Sequence, residues 1–305
     1  MAKLVALQVL LAAQIASAQP AKAPPAKPAA PAVCSPVYTD AVDLRVGASN
    51  VVACWEGRDS SMKCVSASAT TNPQLTAAPA AAPSPIPAVR KEAGAWVACV
   101  GETCKKLGKK TVAAIKEAGG EANQPGVTVP LHVTSDLKAV VVAQQAFSVA
   151  ADRPLKLKGP KREKGNDKPE LGGIDVVGKW LVPGWTACAG PCAMSTLATS
   201  SGTNKGPWFP AGKALVLGGD RIVIVPQEAS ATMTVLDGKS GKKVGAIALG
   251  AGVLQGSNGE KIDDNTVVVA WDDVDADAWV LQWLTIPATG NPTKGATKTI
   301  AHCAQ

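Results

Sequence analysis

The chain has 305 residues, a formal net charge of +7, eight cysteines and two histidines. So few histidines argue against imidazole-based metal centres and against a Ser-His-Asp triad. Eight cysteines indicate disulfide bonds rather than zinc thiolates where a chain is exported, which makes the N-terminal residues decisive. The positive charge favours anionic surfaces, such as cell-wall polymers or lipopolysaccharide, and we expect no nucleic-acid ligand.

Residues 1–18 have the pattern of a signal peptide. Lys3 precedes an apolar run that ends at Ala13, and the Ala-Ser-Ala sequence at 16–18 has the small-x-small pattern of a cleavage site. An apolar run of about ten residues is too short to remain in a bilayer as an anchor. We therefore expect export to the periplasm or out of the cell, with no membrane span.

Residues 19–33 are nearly all Pro, Ala and Lys. Such a segment buries too little apolar area to offset its ordering entropy, so we predict a disordered linker. The folded domain is predicted to cover residues 34–305, which is long enough for one large core.

Short apolar runs that favour β-strands recur along this domain, and each is followed by a turn and a second run. The runs align on six anchor positions: Cys54, Cys99, Val142, Cys188, Val225 and Val269. Their separations of 45, 43, 46, 37 and 44 residues are close to the length of one four-stranded propeller blade. Radial packing buries both apolar faces of such a blade. We therefore predict an all-β, disulfide-stapled β-propeller with six four-stranded blades, or seven if one repeat is very degenerate.

Residues 109–122 (KKTVAAIKEAGGEA) are the main exception to the β pattern. Their composition is compatible with a short helix. The apolar residues from Thr111 to Ile115 are equally compatible with a final blade strand, and the sequence leaves both interpretations open.

Residues 221–248 carry a more specific signal. One strand there ends in Leu236-Asp237, a turn with Gly238 follows, and the next strand begins after Gly241-Lys242. This stretch resembles a blade of the quinoprotein-like (PQQ-like) propeller repeat. The resemblance implies the fold alone, because the tryptophan-docking motifs and cofactor-site residues of the quinone enzymes are not evident. The Gly-His and Trp-Asp dipeptide motifs that characterise WD40 repeats are also missing.

The cysteines follow the repeat. Cys54, Cys99 and Cys188 occupy the same place in their repeats, and each has a second cysteine across the following turn. Opposed residues at non-hydrogen-bonded positions of antiparallel strands are close enough to form a disulfide. The inner spacings do not match the two-residue knuckle of zinc sites. With the two ends of the domain joined as well, we predict four bonds: Cys34–Cys303, Cys54–Cys64, Cys99–Cys104 and Cys188–Cys192.

An acidic turn near the end of the chain is a candidate calcium site. Asp273, Asp275 and Asp277 alternate along it, and such a turn can direct several oxygens at one ion. The glycine and the distal glutamate of an EF-hand loop are absent, so a solvated acidic turn is the alternative. We expect no other cofactor.

Two further features are candidates for ligand contact. Residues 156–170 carry six basic and three acidic residues and form a predicted exposed connection suited to an anionic polymer. Tryptophan is frequent, and four indoles near strand ends or turns suit sugar rings or protein hot spots, with core packing as the alternative: Trp55, Trp185, Trp208 and Trp271.

No catalytic constellation is evident, so the sequence favours a non-catalytic binding or scaffolding propeller, which we expect to be monomeric. Its partner is predicted to be a protein or glycan at the cell envelope, because rigid blades present loops on one rim. The alternative is a secreted hydrolase or lyase acting on glycans, which requires two or more acids near the central channel. The first candidates are acids next to apolar strands: Asp136, Asp175, Asp220 and Asp264.

Overall fold

The structure, a computed structural model, describes ten stretches of the chain: residues 33–35, 42–47, 50–56, 60–79, 88–119, 131–162, 168–186, 193–226, 232–250 and 255–303. No helix in these stretches is long and apolar enough to cross a membrane. The predicted signal peptide, and the predicted linker except for Val33, lie outside them.

The first three sheets are antiparallel, and strands adjacent in sequence pair with each other. Sheet 1 contains β1 (Asp43–Val46), β2 (Val51–Glu56), β3 (Met62–Ala67) and β4 (Gln74–Thr76). Sheet 2 contains β5 (Val89–Glu92), β6 (Ala95–Val100) and β7 (Thr103–Lys106), and the helix α1 (Lys109–Glu117) follows it. Sheet 3 contains β8 (Leu131–Val133), β9 (Ala139–Val142), β10 (Gln145–Ser148) and β11 (Arg153–Pro154).

The last three sheets repeat the pattern. Sheet 4 contains β12 (Glu170–Val177), β13 (Trp180–Thr186), β14 (Ala193–Ser195), β15 (Ala198–Thr199) and β16 (Phe209–Pro210). Sheet 5 contains β17 (Gly212–Leu217), β18 (Arg221–Pro226), β19 (Thr232–Asp237) and β20 (Lys243–Ala248), with a 3-10 turn over Gly218–Asp220. Sheet 6 contains β21 (Gln255–Lys261), β22 (Thr266–Asp273), β23 (Ala278–Thr285) and β24 (Thr293–Ala301).

The second strands of the sheets, except the partly exposed β6, are mostly buried on both faces. In β22, Val267 and Val269 belong to the core shared with sheet 5. Val268 and Ala270 belong to the core shared with sheet 1. Because successive side chains of a strand point to opposite faces, an unbroken apolar run is buried only where a sheet covers each side. This explains why the sequence repeats runs of consecutive apolar residues rather than an alternating pattern.

The sheets follow one another around a common axis. First strands contact first strands: β5 with β8, β8 with β12, β12 with β17, β17 with β21, and β21 with β1. Apolar cores fill the corresponding interfaces, including the one between sheet 6 and sheet 1. The first strands therefore lie innermost and the last sheet lies against the first. The predicted all-β propeller is confirmed, with six sheets in the described part of the chain.

The two ends of the domain meet beside β24. The backbone N–H of Ser35 donates to the carbonyl of Ala301 at 2.9 Å, and that of Cys303 donates to the carbonyl of Ser35 at 2.8 Å. Cys34 and Cys303 form a disulfide with a Cα–Cα distance of 4.9 Å, here called the terminal disulfide. The ammonium of Lys63 lies 3.1 Å and 2.9 Å from its two sulfurs.

Two further disulfides lie within hairpins. Cys54–Cys64 joins β2 to β3 and Cys99–Cys104 joins β6 to β7, and the members of each pair are directly opposed in register. Both Cα–Cα distances are 4.1 Å, which is the close approach typical of non-hydrogen-bonded pairs. The fourth predicted pair, Cys188–Cys192, lies outside the described residues.

Not every sheet has the predicted four strands. Sheet 4 has five, because the short β15 pairs with β13 beside β14. Sheet 2 has three, because the chain leaves β7 and forms α1. Of the two interpretations of residues 109–122, the helix is therefore correct over Lys109–Glu117.

A side chain from sheet 3 caps the N-terminus of α1. The carboxylate of Asp152 accepts hydrogen bonds from the backbone N–H groups of Lys110 and Thr111, each at 2.9 Å. Both hydrogen bonds lower the pKa of Asp152, and the one from Lys110 has the larger effect. A Cβ at Gly108 would lie 2.2 Å from Cγ of Asp152, so this approach requires glycine. Thr111 and Ile115 lie one turn apart and are buried, so one helix face is fixed by packing.

Candidate functional site

The turns at one end of the sheets collect charged side chains. Because successive strands run in opposite directions, the first and third turns of a four-stranded meander lie at the same end. In sheets 3, 4 and 5 this end carries residues 134–138, 178–179, 218–220 and 238–242. We call it the turn face.

A cleft of about 560 Å³ opens on the turn face between sheets 3, 4 and 5, and we call it the basic cleft. Its described lining contains one acid, Asp136, and four lysines: Lys138, Lys179, Lys205 and Lys239. Trp180 and four hydroxyl-bearing side chains complete it: Thr199, Ser200, Ser201 and Ser240. The four ammonium groups outnumber the carboxylates at the cleft, which are Asp136 in the lining, Asp220 beside Lys239 and Asp237 beside Ser240, so the net charge is positive and attracts anions.

Hydrogen bonds between sheets hold the walls of the cleft in place. The backbone N–H of Ser135 donates to the carbonyl of Gly178 at 2.8 Å, joining sheet 3 to sheet 4. The indole N–H of Trp180 donates to the carbonyl of Gly238 at 2.6 Å, joining sheet 4 to sheet 5. Gly241 has a φ of +75°, and a Cβ there would lie 3.4 Å from the Trp180 ring. The cleft is therefore preorganised by backbone and indole contacts.

Two of the cleft lysines are positioned by neighbouring groups. The ammonium of Lys179 donates to the carbonyl of Lys239 at 3.3 Å and lies 5.3 Å from the centroid of the Trp180 ring. The ammonium of Lys239 lies 3.2 Å from a carboxylate oxygen of Asp220, and both side chains are mostly exposed. Exposed pairs of this kind contribute about 0–1 kcal/mol, so an incoming anion can replace the carboxylate at low cost.

The one carboxylate of the cleft is engaged in its own turn. Asp136 accepts hydrogen bonds from the hydroxyl of Thr134 at 2.7 Å and from the backbone N–H of Lys138 at 3.1 Å. Its other oxygen lies 3.4 Å from the hydroxyl of Ser200 and 3.6 Å from the ammonium of Lys138. These contacts make Asp136 a turn-stabilising residue, so the lysines are the charged groups of the lining that remain available to a ligand.

The four aspartates considered for catalysis lie on four different sheets. Asp136 is in the basic cleft, Asp175 is exposed on β12, and Asp220 lies in the 3-10 turn before β18. Asp264 pairs with Lys261 at 2.6 Å in the turn before β22. Among the described residues, no hydrogen bond or ion pair joins any two of the four.

The four tryptophans considered for ligand contact divide into two groups. Trp55 and Trp271 are 0% and 3% exposed, so they contribute to the core and cannot present a ring to a ligand. Trp185 and Trp208 are half-buried and keep part of the ring accessible. Apolar neighbours on both faces of their strands explain the burial of Trp55 and Trp271. The ring centroids of Trp55 and Trp279, for example, are 5.7 Å apart.

The acidic turn between β22 and β23 contacts His302, which lies three residues before the end of the chain. His302 lies 2.9 Å from a carboxylate oxygen of Asp277 and 3.2 Å from one of Asp272, and burial raises the pKa of Asp272. The backbone N–H of Ala276 donates to the Asp273 carboxylate at 3.2 Å. In the described part of the chain, the aspartates of this turn do not bring three ligand oxygens within 4.8 Å of one another. The calcium site stays a prediction.

The basic connection over residues 156–170 lies at the other end of sheets 3 and 4. Lys156 and Lys158 line a cleft of about 510 Å³ there, together with Gln144 of the turn between β9 and β10. Leu157 packs against the core between the two sheets. Residues 163–167 lie outside the described part. The side-chain amide of Asn204 donates to the carbonyl of Lys158 at 3.0 Å, so the described start of this connection packs against the loop that carries Ser201 and Lys205 of the basic cleft.

Comparison with known proteins gives no family. No family model matches the chain, and no curated protein matches it. Solved structures include a chain of a mitotic checkpoint complex, with 9% identity over 96% of this chain and 89% of that chain and a TM-score of 0.30. The C-terminal WD40 domain of Sif2 follows with 8% identity, 86% and 89% coverage and a TM-score of 0.29. A eukaryotic initiation factor has 10% identity, 91% and 92% coverage and a TM-score of 0.29. At these scores the fold assignment rests on the sheet topology described above.

Sequence reasoning did not find the basic cleft. Its lysines lie 26 positions apart at the closest, Lys179 and Lys205, and 101 apart at the farthest, Lys138 and Lys239, and no local charge run marks them. Their shared feature is position, since Lys138, Lys179 and Lys239 all lie in turns of the same end. A repeat alignment that compared turns, in addition to strands, would have been the signal.

Proposed function

We propose that this chain is an exported, non-catalytic binding propeller that recognises a protein or glycan partner at the cell envelope through the basic cleft. The observation that carries the proposal is the cleft itself, a preorganised concave site formed by three sheets with one carboxylate among its described lining. A cleft with an excess of one charge raises the local concentration of ligands of the opposite charge. Three disulfides support an oxidising compartment.

Two parts of this proposal come from the sequence. Export depends on the signal peptide predicted at residues 1–18 and the linker at 19–33, which present the domain of residues 34–305. The relation to the PQQ-like repeat depends on residues 221–248. There β19 ends at Asp237 and β20 begins at Lys243, in agreement with the turn pattern that suggested the relation.

A glycan-cleaving enzyme is the less favoured alternative. Glycoside hydrolysis ordinarily uses two carboxyl groups about 5 to 10 Å apart on either side of the scissile bond. Asp136 is the one acid in the described lining of the cleft, and its oxygens serve its own turn.

A steric block of the cleft tests the proposal. Ser201 is exposed in the lining, so Ser201→Trp fills the cleft without changing its charge. The matched control is Thr293→Trp on β24, which is also exposed and lies far along the chain in the last sheet. We expect Ser201→Trp to abolish capture of partners in pull-down and glycan-array binding with the oxidised full chain, and Thr293→Trp to preserve it. Equal binding by both variants would contradict the proposal, as would release of cleaved sugars from any bound glycan.

A further inference from the structure

We propose that the ligand of the basic cleft is a polysaccharide that carries phosphate or sulfate ester groups. This inference rests on the proposed function and adds the chemical class of the partner. It is drawn from three properties of the cleft: the type of its cations, the type of its neutral groups, and the small apolar area that it offers.

The cations of the cleft are all lysines in the described lining. An ammonium is a compact point charge with three donors, whereas the planar fork of arginine favours bidentate contact with a carboxylate or a phosphate. Lysines bind phosphate as point charges, so several of them can contact the oxygens of one phosphate or sulfate group from different directions. Lys138, Lys179 and Lys239 come from turns of three different sheets, and the first and third lie beside the carboxylates of Asp136 and Asp220, which an anionic ligand would displace.

The neutral groups of the cleft are mostly hydroxyls. Ser240 donates to the carboxylate of Asp237 at 2.6 Å and accepts from the backbone N–H of Lys242 at 3.3 Å, while Thr199 and Ser201 share a hydrogen bond of 2.8 Å. Side-chain hydroxyls both donate and accept, so they can exchange hydrogen bonds with the hydroxyls of a sugar. Thr199, Ser201 and Ser240 thus provide neutral contacts between the charged ones.

The apolar area of the cleft is small. Trp180 is the one large apolar side chain in the described lining, and it is 5% exposed because its ring packs in the core between sheets 4 and 5. Peptide ligands ordinarily anchor apolar or aromatic side chains in pockets. An acidic protein segment would find no such pocket here, whereas a hydrated, charged polysaccharide needs none.

The test compares two triple variants of equal net charge. The cleft variant is Lys138→Gln with Lys179→Gln and Lys239→Gln. The control replaces three exposed lysines outside the described lining of the cleft: Lys106→Gln, Lys109→Gln and Lys243→Gln. The cleft lysines make exposed contacts, so both variants are expected to fold, and thermal unfolding of each verifies this.

The probes are phosphorylated dextran, sulfated dextran, unmodified dextran and poly-glutamate of similar length, each titrated into the oxidised full chain by calorimetry. We expect the two esterified dextrans to bind the natural chain, more weakly at about 200 mM than at about 50 mM salt. The cleft variant should lose about tenfold or more in affinity and the control about twofold or less, as three exposed ionic contacts predict.

Each other outcome overturns the inference in a recognisable way. Equal losses in both triple variants would mean diffuse attraction to the net charge. Poly-glutamate bound as tightly as the esterified dextrans would indicate an acidic protein partner, and unmodified dextran bound equally well would indicate a neutral glycan. In those two cases a block by Ser201→Trp would leave the proposed function standing. Failure of both esterified dextrans to bind would refute the ligand class outright.

Discussion

Replacing Cys34 and Cys303 together by serine removes the covalent link between the two ends of the propeller. The terminal disulfide closes a loop with a sequence separation of 269 residues, whereas the hairpin bonds Cys54–Cys64 and Cys99–Cys104 close loops with separations of 10 and 5. A cross-link lowers the entropy of the unfolded chain by an amount that grows with the logarithm of the loop length. The three bonds should therefore differ in what they contribute to stability.

The chain-entropy relation gives the magnitudes. It predicts a loss of about 5.6 kcal/mol for the terminal disulfide, about 2.7 kcal/mol for Cys54–Cys64 and about 2.1 kcal/mol for Cys99–Cys104 at room temperature. The core between sheets 6 and 1 stays intact without the terminal disulfide, including the contact of Trp55 with Trp279. We therefore expect a folded but less stable protein. Serine at the two positions keeps oxygens beside the ammonium of Lys63, which lies against both sulfurs.

Guanidinium unfolding followed by tryptophan fluorescence measures the three losses. The hairpin cysteines are replaced by alanine, because Cys54, Cys64 and Cys99 are buried and a hydroxyl there would lose its hydrogen bonds to water. The expected order of destabilisation is the terminal disulfide first, Cys54–Cys64 second and Cys99–Cys104 last. If removing the terminal disulfide lowers the free energy of unfolding no more than removing Cys99–Cys104, the entropic reasoning is refuted. The two ends would then stay close in the unfolded chain without the covalent link.

Three other substitutions give independent tests. Asp152→Ala should cost about 1 kcal/mol at neutral pH by removing the cap of α1. Because that carboxylate has a lowered pKa, the stabilisation is present above the ordinary pKa of about 3.9 and lost as the pH falls through the lowered value, so acid denaturation curves of the two proteins should converge. Trp180→Phe should lower the free energy of unfolding by about 1–3 kcal/mol, since the carbonyl of Gly238 loses its donor; an unchanged melting temperature would contradict this. Lys63→Met should slow reduction of the terminal disulfide by dithiothreitol, measured by alkylation and mass spectrometry, because a cation beside sulfur stabilises the departing thiolate; an equal rate would exclude that role.

Most of the strand arrangement was predictable because it depends on local pattern. The anchors Cys54, Cys99, Val142, Val225 and Val269 all lie in the second strand of their sheets. Except in the partly exposed β6, that strand is covered on both faces and must be continuously apolar, and the pattern is visible in the sequence alone. The two described hairpin pairs, Cys54–Cys64 and Cys99–Cys104, followed from the same repeat, since equivalent positions in a hairpin oppose equivalent partners.

Other features depended on contacts between distant segments. Trp55 and Trp271 lie at strand ends, where the sequence suggested a ligand face, and only the neighbouring sheets decide that they are buried. Residues 109–122 were ambiguous between helix and strand because their local propensities compete. The carboxylate of Asp152, 41 positions from Thr111, supplies the missing cap.

By itself, the sequence determined the repeating β architecture and the two hairpin disulfides Cys54–Cys64 and Cys99–Cys104, because both are set by side-chain periodicity along neighbouring strands. The tertiary structure alone decided where charge accumulates. Lys138, Lys179 and Lys239 belong to turns of three sheets, and a meander brings such turns to one end whatever their separation along the chain. A binding site assembled in this way depends on how the sheets pack around their axis, which no local pattern records.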